Sequence, residues 1–300
     1  MAKQKIIPHL WFDTNAFDAV KFYTAVFKGS VGDTTHYTEA GFEVHGMKAG
    51  TVLTIDFDIE GMDFIALNGG PIFKFTPAIS FMVNCPTVAE VDELWAKLAD
   101  GGTPLMPLDK YPFSEKYGWI QDKFGVSWQI SVVPDAKRQI VPSLLYTGEV
   151  FGRAEEAMKF YVSLFENSKI GNVSYYDALQ PPNKEGTVMY ADFTLAGQKF
   201  AVMDSPPIHK FNFNEAVSFL VVCEDQREID YFWEKFEVPS GEGQCGWLKD
   251  KFGVSWQITA EGMTEMLNDS DKEKANRAME AMLQMRKIDI KKLKDAYEGK

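Results

Sequence analysis

The nine-residue stretch DKFGVSWQI occupies residues 122–130 and recurs, letter for letter, at residues 250–258. Its first four letters are typical of a hairpin turn, in which Asp bonds back to its own backbone and Gly takes a positive φ. The letters VSWQI predict the strand that closes each copy. Because neighbouring side chains of a strand point to opposite faces, Ser127 and Gln129 share one face and Trp128 lies on the other.

The similarity between the two halves of the chain reaches beyond this stretch. Three further matches keep the same order: Ile7-Pro8 with Val141-Pro142, KFY at 21–23 with KFY at 159–161, and AISFMVNC at 78–85 with AVSFLVVC at 216–223. A spacing of about 135 residues is too long for a solenoid repeat. We predict a duplicated domain, residues 1–134 and 139–260, joined through SVVPDAKR (131–138) and followed by a tail at 261–300.

Helical and strand periodicities alternate within each half. Helical spacing of apolar residues predicts one helix around Ala16, Ala19, Val20 and Tyr23 and another around Ala154, Ala157, Met158 and Tyr161. Alternation over residues 53–59 and 189–195 predicts strands with one buried face, each followed by a tight turn. The order indicates an α+β fold with two βαβββ modules in each half.

The composition restricts the partners of the protein. The chain has 300 residues, of which 45% are hydrophobic, enough to fill two cores. Its net charge of −12 disfavours nucleic acid and membrane partners. Residues 1–10 lack the apolar stretch of a signal peptide, so we predict a cytoplasmic protein. Cys85, Cys223 and Cys245 do not make a disulfide framework and are predicted to be reduced.

The tail carries helix signals of its own. Ser270 with Glu273 predicts a capping box, and Ala278, Met282 and Met285 form an apolar stripe on the helix that follows. Asp289 is predicted to cap one more short helix through Tyr297. A Met-rich stripe fits either a helix that docks a partner or, more commonly, a helix packed on its own domain.

Three long phrases carry a family resemblance: PHLWFDTNAFDAVKFYTAVF (8–27), ALNGGPIFKFTPAISFMVNC (66–85) and QCGWLKDKFGVSWQI (244–258). They resemble the PhnB-like proteins, often labelled 3-demethylubiquinone-9 3-methyltransferase-like, of the vicinal oxygen chelate superfamily. That superfamily includes glyoxalase I, extradiol dioxygenases and bleomycin-resistance proteins. The resemblance covers both halves and implies two glyoxalase-type domains, each of paired βαβββ modules that curl into a half-open sheet around a cavity. Some members also carry a similar tail.

The resemblance also implies where a metal would bind. Metal-using relatives place ligands on the first and last strands of the modules. The matching positions are Ile7 or His9, Leu67 or Asn68, Ala78 and Gln129 in the first half, and Val141 or Ser143, Met203 or Asp204, Ala216 and Gln257 in the second. A divalent ion needs at least three converging donors, and neither set supplies a charged or imidazole group at each position. We therefore expect no metal and no other cofactor.

Two other chemistries are disfavoured by the residues. The cluster His36, Glu39, Glu43 and His45 could in principle hold zinc, but the second half has nothing like it, and we interpret it as a solvated loop. Methyl transfer would normally need a glycine-rich turn from a strand into a helix, whereas the best glycine run, 241–243, leads into a strand. Cys245 has no His beside it in sequence and is interpreted as a non-catalytic thiol.

The favoured hypothesis is a small-molecule binding protein without a metal, since bleomycin-resistance relatives sequester flat ligands in this way. The candidate ligand-binding residues are His9, Trp11, Asn68, Ser127, Gln129, Ser143, Asp204, Ser255 and Gln257. The alternative is an enzyme with an atypical site, either a glyoxalase-type lyase or isomerase or a dioxygenase-like protein. A third is a scaffold with vestigial cavities. Residues 99–117 are an extra loop relative to the second half, either a lid or a surface insertion. A homodimer is left open.

Overall fold

The computed structural model describes residues 4–178, 180–236 and 243–300. The first half contains two modules. Module 1 consists of β1 (Ile6–Phe12), α1 (Ala16–Phe27), β2 (Ser30–His36), α2 (Phe42–His45), β3 (Val52–Ile59) and β4 (Met62–Asn68). Module 2 consists of β5 (Ile79–Cys85), α3 (Val88–Ala99), β6 (Thr103–Tyr111), β7 (Ser114–Gln121) and β8 (Ser127–Val132).

The second half repeats this order and ends in the tail. Module 3 consists of β9 (Gln139–Tyr146), α4 (Ala154–Leu164), β10 (Lys169–Tyr175), β11 (Val188–Leu195) and β12 (Gln198–Asp204). Module 4 consists of β13 (Val217–Cys223), α5 (Gln226–Phe236), β14 (Trp247–Lys249) and β15 (Ser255–Ala260). The tail contains α6 (Met263–Leu267), α7 (Lys272–Leu283) and α8 (Ile290–Glu298). The predicted α+β architecture of βαβββ modules with C-terminal helices is confirmed.

The strands form two mixed sheets that combine modules from different halves. Sheet A has seven strands in the order β14-β15-β13-β1-β4-β3-β2, and sheet B has eight in the order β10-β11-β12-β9-β5-β8-β7-β6. Modules 1 and 4 join where His9 of β1 pairs with Ser218 of β13. Modules 2 and 3 join where Ser80 of β5 pairs with Ser143 of β9. The expectation that the two modules of one half share a sheet is therefore wrong.

The two modules of one half are held together through the core instead. Phe64 of sheet A contacts Phe81 of sheet B with ring centroids 5.2 Å apart, and Phe200 of sheet B contacts Phe219 of sheet A at 5.6 Å. The helices lie on these core faces, and the buried side chains of both halves form one continuous cluster. Sheet pairing thus joins the halves, and apolar packing joins the modules within each half.

The repeated stretch forms the predicted turn and strand. Asp122 accepts hydrogen bonds through Oδ1 from the backbone N–H groups of Phe124 (2.8 Å) and Val126 (3.1 Å). Gly125 has a φ of +91°. Trp128 is fully buried, so its assignment to the core is confirmed.

The same aspartate has a second role that the turn pattern did not reveal. Asp122 Oδ2 accepts hydrogen bonds from Tyr23 Oη (2.8 Å) and Trp128 Nε1 (2.8 Å). Tyr23 lies on α1 of module 1, so this carboxylate ties the two modules of the first half together. The second copy repeats all four bonds around Asp250, with Phe252, Val254, Tyr161 and Trp256 as donors. The repeated stretch DKFGVSWQI thus forms a buried structural connection between the two modules of each half.

The tail packs on its own chain along the open edge of sheet A. The N–H groups of Cys245 and Gly246 donate to the carbonyls of Met285 (2.8 Å) and Arg286 (2.9 Å), and Ile288 is fully buried. Asp289 caps α8 as predicted, by accepting from the N–H of Lys292 at 3.0 Å.

The cap of α7 differs from the prediction. Asp271, rather than Ser270, accepts hydrogen bonds from the N–H groups of Glu273 and Lys274. Asp271 is the residue directly before the helix, where its short carboxylate reaches these two groups. No helix in the described part of the chain is long and apolar enough to cross a membrane.

Residues 99–117 are not a loop. Most of them form β6 and the start of β7, an antiparallel hairpin at the edge of sheet B. In the described part of module 4, two strands follow α5, and the backbone of the tail lies beside β14 in place of a further strand. The length difference between the halves therefore reflects two different ways of covering a sheet edge.

Candidate functional site

Each sheet has one face on the core and one face turned away from it. We call the outer face of sheet A cup A and the outer face of sheet B cup B. The strand registers place these side chains in cup A: Ile7, His9, Trp11, Asp56, Ile65, Leu67, Ser218, Leu220, Trp247, Ser255 and Gln257. They place these in cup B: Ser80, Met82, Tyr117, Trp119, Ser127, Gln129, Val141, Ser143 and Ala201.

His9 lies at the centre of cup A. Its neighbours across the sheet are Ser218 on β13 and Ile65 on β4. The side chain is 4% exposed, and among the described residues its Nδ1 has no hydrogen-bond partner. Burial lowers the pKa of His9 to about 3, so the imidazole is neutral at physiological pH.

Aromatic rings surround His9 on one side. The Trp247 ring meets the His9 ring edge-on at 5.6 Å and the Trp11 ring at 6.0 Å, and Phe73 packs against Trp11 at 5.0 Å. Trp11 Nε1 donates to the carbonyl of Gly70 at 2.8 Å. A Cβ at Gly69 would lie 2.2 Å from the Trp11 ring, so only glycine lets this indole lie against the backbone.

Trp247 and Phe73 are not among the predicted ligand-binding residues. A usable signal was present for Trp247, because Gly246-Trp247 repeats Gly118-Trp119 of the first half. Phe73 lies in the connection between β4 and β5, where neither strand nor helix periodicity assigns a face.

We call the buried polar side chains in the middle of each outer sheet face the floor of the cup. Hydrogen bonds among these side chains distinguish the two cups. In both cups the glutamine of the repeated stretch DKFGVSWQI donates to a serine of the neighbouring strand. Gln257 donates to Ser218 at 2.9 Å, and Gln129 donates to Ser80 at 2.7 Å. Cup A then leaves Ser255 Oγ, 1% exposed, without a partner in the described part of the chain.

Cup B uses its own aromatic side chains to complete its hydrogen bonds. Trp119 Nε1 donates to Ser127 Oγ at 2.8 Å, and Tyr117 Oη donates to Gln129 Oε1 at 2.7 Å. Ser143 Oγ, which stands where cup A has His9, is buried and lacks a partner within the described residues. Cup A therefore offers more free hydrogen-bonding capacity than cup B, together with an imidazole.

Asn68 and Asp204 lie on the helix side of the sheets. Asn68 Oδ1 accepts from the N–H of Ala16 (2.9 Å), and Asp204 Oδ1 accepts from Gly152 (2.8 Å) and Ala154 (3.2 Å). Both side chains thus bind the backbone at the start of α1 and α4, a structural use of their polar atoms.

The remaining candidates are divided between the cups. Cup A contains His9, Trp11, Ser255 and Gln257, and cup B contains Ser127, Gln129 and Ser143. The metal-ligand positions that the resemblance implies for the first half are therefore divided between the two cups, because β1 and β8 belong to different sheets.

The floor of cup A does not fit the metal site that the family resemblance implies. It offers one imidazole, one amide and two hydroxyls, from His9, Gln257, Ser218 and Ser255, and in the described strands the residues paired with these four include no carboxylate. Within the described ranges, no group of three or more His, Cys, Asp and Glu side chains could hold a metal ion. In the separate cluster around His45, both ring nitrogens contact backbone groups, those of Ala40 (3.1 Å) and Met47 (3.0 Å).

The Cys245 thiol is expected to react slowly. Burial raises the pKa of this thiol to about 11, and only the thiolate is nucleophilic. Labelling with a disulfide reagent should therefore be slow at pH 7 and rise about tenfold for each pH unit up to pH 10. Stopped-flow absorbance measures the rate, and rapid labelling at pH 7 would contradict the expectation. Gly241 and Glu242, part of the glycine run before this cysteine, lie outside the described residues.

Comparisons with known proteins bear on the fold. The family model described as 3-demethylubiquinone-9 3-methyltransferase matches residues 4–131 and 138–259. The chain is similar to the PhnB protein from Bacillus cereus, with 40% identity over 43% of this chain and 100% of that chain, at a TM-score of 0.39. Glyoxalase I from Zea mays is 10% identical over 84% of this chain and 92% of that chain, at a TM-score of 0.53, and shows a shared fold alone. A comparison with curated proteins gives no significant match.

The family model matches once in each half and together covers most of the chain. Its two matches coincide with the internal repeat, and the fold is shared with glyoxalase I. The chain therefore belongs to the 3-demethylubiquinone-9 3-methyltransferase family of PhnB-like proteins, as a tandem duplication.

Proposed function

We propose that the protein binds a small, flat, aromatic molecule in cup A without using a metal ion. The observation that carries the proposal is a pair of buried polar atoms without partners, His9 Nδ1 and Ser255 Oγ, beside the half-buried indoles of Trp11 and Trp247. A buried polar atom is costly unless it is hydrogen-bonded. A ring that stacks on an indole and presents polar atoms at its edge would satisfy both features.

The state of His9 favours binding over acid–base catalysis. With a pKa of about 3, the imidazole takes up a proton too weakly to serve as a general base near neutral pH. It can donate or accept a hydrogen bond to a ligand instead. The name of the family implies methyl transfer, but the turns that lead from strand to helix in sheet A, residues 13–15 and 224–225, contain no glycine. A nucleotide-type cofactor normally needs a glycine-rich turn there. The proposal includes a cytoplasmic location, supported by three free cysteines.

The test compares matched tryptophans of the two cups. Trp247→Ala should weaken binding of a flat aromatic compound on the order of tenfold or more, because it removes one stacking face of cup A. Trp119→Ala, the same change at the equivalent position of cup B, should leave the dissociation constant unchanged. A thermal-shift screen selects the compound, and isothermal titration calorimetry measures the constants.

The serines provide a second matched pair. Ser255→Ala removes an unpartnered atom of cup A, whereas Ser127→Ala removes a hydroxyl that is already bonded in cup B. Only Ser255→Ala should alter the affinity for the aromatic compound. Equal losses in both cups, or no binding by any compound, would overturn the proposal, and turnover of a bound compound would favour the enzyme alternative.

A further inference from the structure

We infer that the ligand of cup A is an organic cation that pairs with the carboxyl group of Asp56. This inference rests on the proposed function of cup A and names the charge of its ligand. It combines two observations: the position of Asp56, and the unpartnered polar atoms of His9 and Ser255 in the same row.

Asp56 lies in the same row of cup A as His9. His9 pairs with Ile65 on β4, and Ile65 pairs with Asp56 on β3. The Asp56 carboxyl group therefore lies two strands from the His9 imidazole, on the same face of the sheet. No hydrogen bond to this carboxyl group is found among the described residues. Burial, followed by the charges of Asp33, Asp63 and Glu265, raises the pKa of Asp56 to about 6.

The equivalent aspartate of cup B is in a different situation. Asp192 pairs with Ala201 as Asp56 pairs with Ile65. Its Oδ2 accepts hydrogen bonds from the N–H and the Nδ2 of Asn172, both at 3.2 Å. The aspartate of cup B thus has a protein partner, whereas the Asp56 carboxyl group has no hydrogen bond among the described residues and feels like charges that a cation would offset.

The tail contacts module 4 at two places and module 1 at one. It leaves β15, where Thr259 Oγ1 donates to Met263 Sδ at 3.4 Å, and continues into α6, whose Glu265 is the last and smallest of the charges that raise the pKa of Asp56. At the end of α7, Leu283 Cδ1 lies 2.6 Å from where a Cβ of Gly41 would stand. The chain then returns to β14. The tail therefore contacts both module 4 and module 1.

The other groups of cup A suit a cation as well. The unpartnered His9 Nδ1 and Ser255 Oγ are both more than nine-tenths buried and belong to the row that ends at Asp56. Indole faces such as those of Trp11 and Trp247 attract cations. The one lysine of this row, Lys249, is paired with Glu215 at 2.7 Å. A carboxyl group kept in a costly environment is a common mark of a functional site.

The test uses three flat bicyclic probes that differ in charge: N-methylquinolinium, quinoline and 2-naphthoate. At pH 8, where Asp56 is ionised and quinoline is neutral, calorimetry with the full chain should show N-methylquinolinium binding at least about tenfold more tightly than quinoline. Asp56→Asn should reduce this ratio about tenfold, and Glu265→Gln should reduce it by a smaller factor. Asp192→Asn, the matched change in cup B, should leave the ratio unchanged.

The outcomes separate this inference from the proposed function. If quinoline or 2-naphthoate binds as tightly as the cation and Trp247→Ala weakens that binding, cup A is an aromatic site and the cation inference fails. A ratio that is unchanged in Asp56→Asn also overturns the inference. If no probe binds, the inference and the proposed function both fail.

Discussion

Replacing Asp250 with alanine is expected to lower the free energy of unfolding by roughly 3–5 kcal/mol. The carboxylate is buried and accepts four hydrogen bonds, from two backbone N–H groups, from Tyr161 Oη (2.7 Å) and from Trp256 Nε1 (2.9 Å). The alanine variant would leave all four donors buried without an acceptor, and each such group costs about 1–3 kcal/mol. Because Tyr161 lies on the helix of module 3, the link between two modules is lost as well.

Urea unfolding followed by tryptophan fluorescence at pH 7.5 measures this loss. Asp122→Ala should cost a similar amount, since the first copy has the same four bonds. Asp250→Asn should cost less, because the amide keeps one oxygen acceptor. Asp100→Ala, the same substitution at an exposed site, should stay within about 0.5 kcal/mol. A loss below about 1 kcal/mol for Asp250→Ala would show that the buried network is not a principal source of stability.

Replacing Ile288 with aspartate is expected to detach the tail from sheet A. Ile288 is fully buried, its carbonyl accepts from Gln226 Nε2 at 3.1 Å, and its Cγ1 lies 3.3 Å from where a Cβ of Gly246 would stand. An unpaired carboxylate at this position would cost several kcal/mol, on the order of 3–5, which is more than the docking of a short helical segment supplies. Both sheets should remain folded, since the chain of strand pairs does not pass through the tail.

Two measurements report the detachment. Cys245, which donates its N–H to Met285 of the tail, should react with a disulfide reagent at least about tenfold faster, and limited proteolysis should cut within residues 261–300. Lys294→Asp introduces the same side chain at an exposed position of α8 and should change neither readout. Unchanged labelling of Cys245 in Ile288→Asp, with far-ultraviolet dichroism intact, would mean that the tail does not cover this edge.

Local features of the fold were predictable because they depend on neighbouring residues. The turn at Gly125 and the buried Trp128 follow from the DKFGVSWQI pattern, and the cap at Asp289 follows from its own helix. The helical stripes around Tyr23 and Tyr161 are buried as their spacing indicates. The predicted cap of α7, Ser270, is wrong by one residue, because the adjacent Asp271 is also a polar side chain that can cap a helix.

The candidate site was only partly predictable. Periodicity placed His9 and Trp11 on one face of β1, but it cannot show that Asn68 and Asp204 serve helix starts, since those backbone groups are distant in sequence. Periodicity also cannot show that Trp247 meets a histidine, because the matching Trp119 has a similar local sequence and a serine partner instead.

The sequence by itself determined that the chain is a duplicated α+β protein with βαβββ modules, because each half repeats the same local periodicities. Only the tertiary structure decided which modules share a sheet. The strand edges of the two halves carry nearly the same side chains, so the pattern on β1 fits β13 across the chain as well as a strand of its own half. That choice depends on the relative positions of distant segments, and it determines that His9 meets Trp247 and shares a sheet with Gln257 rather than with Gln129.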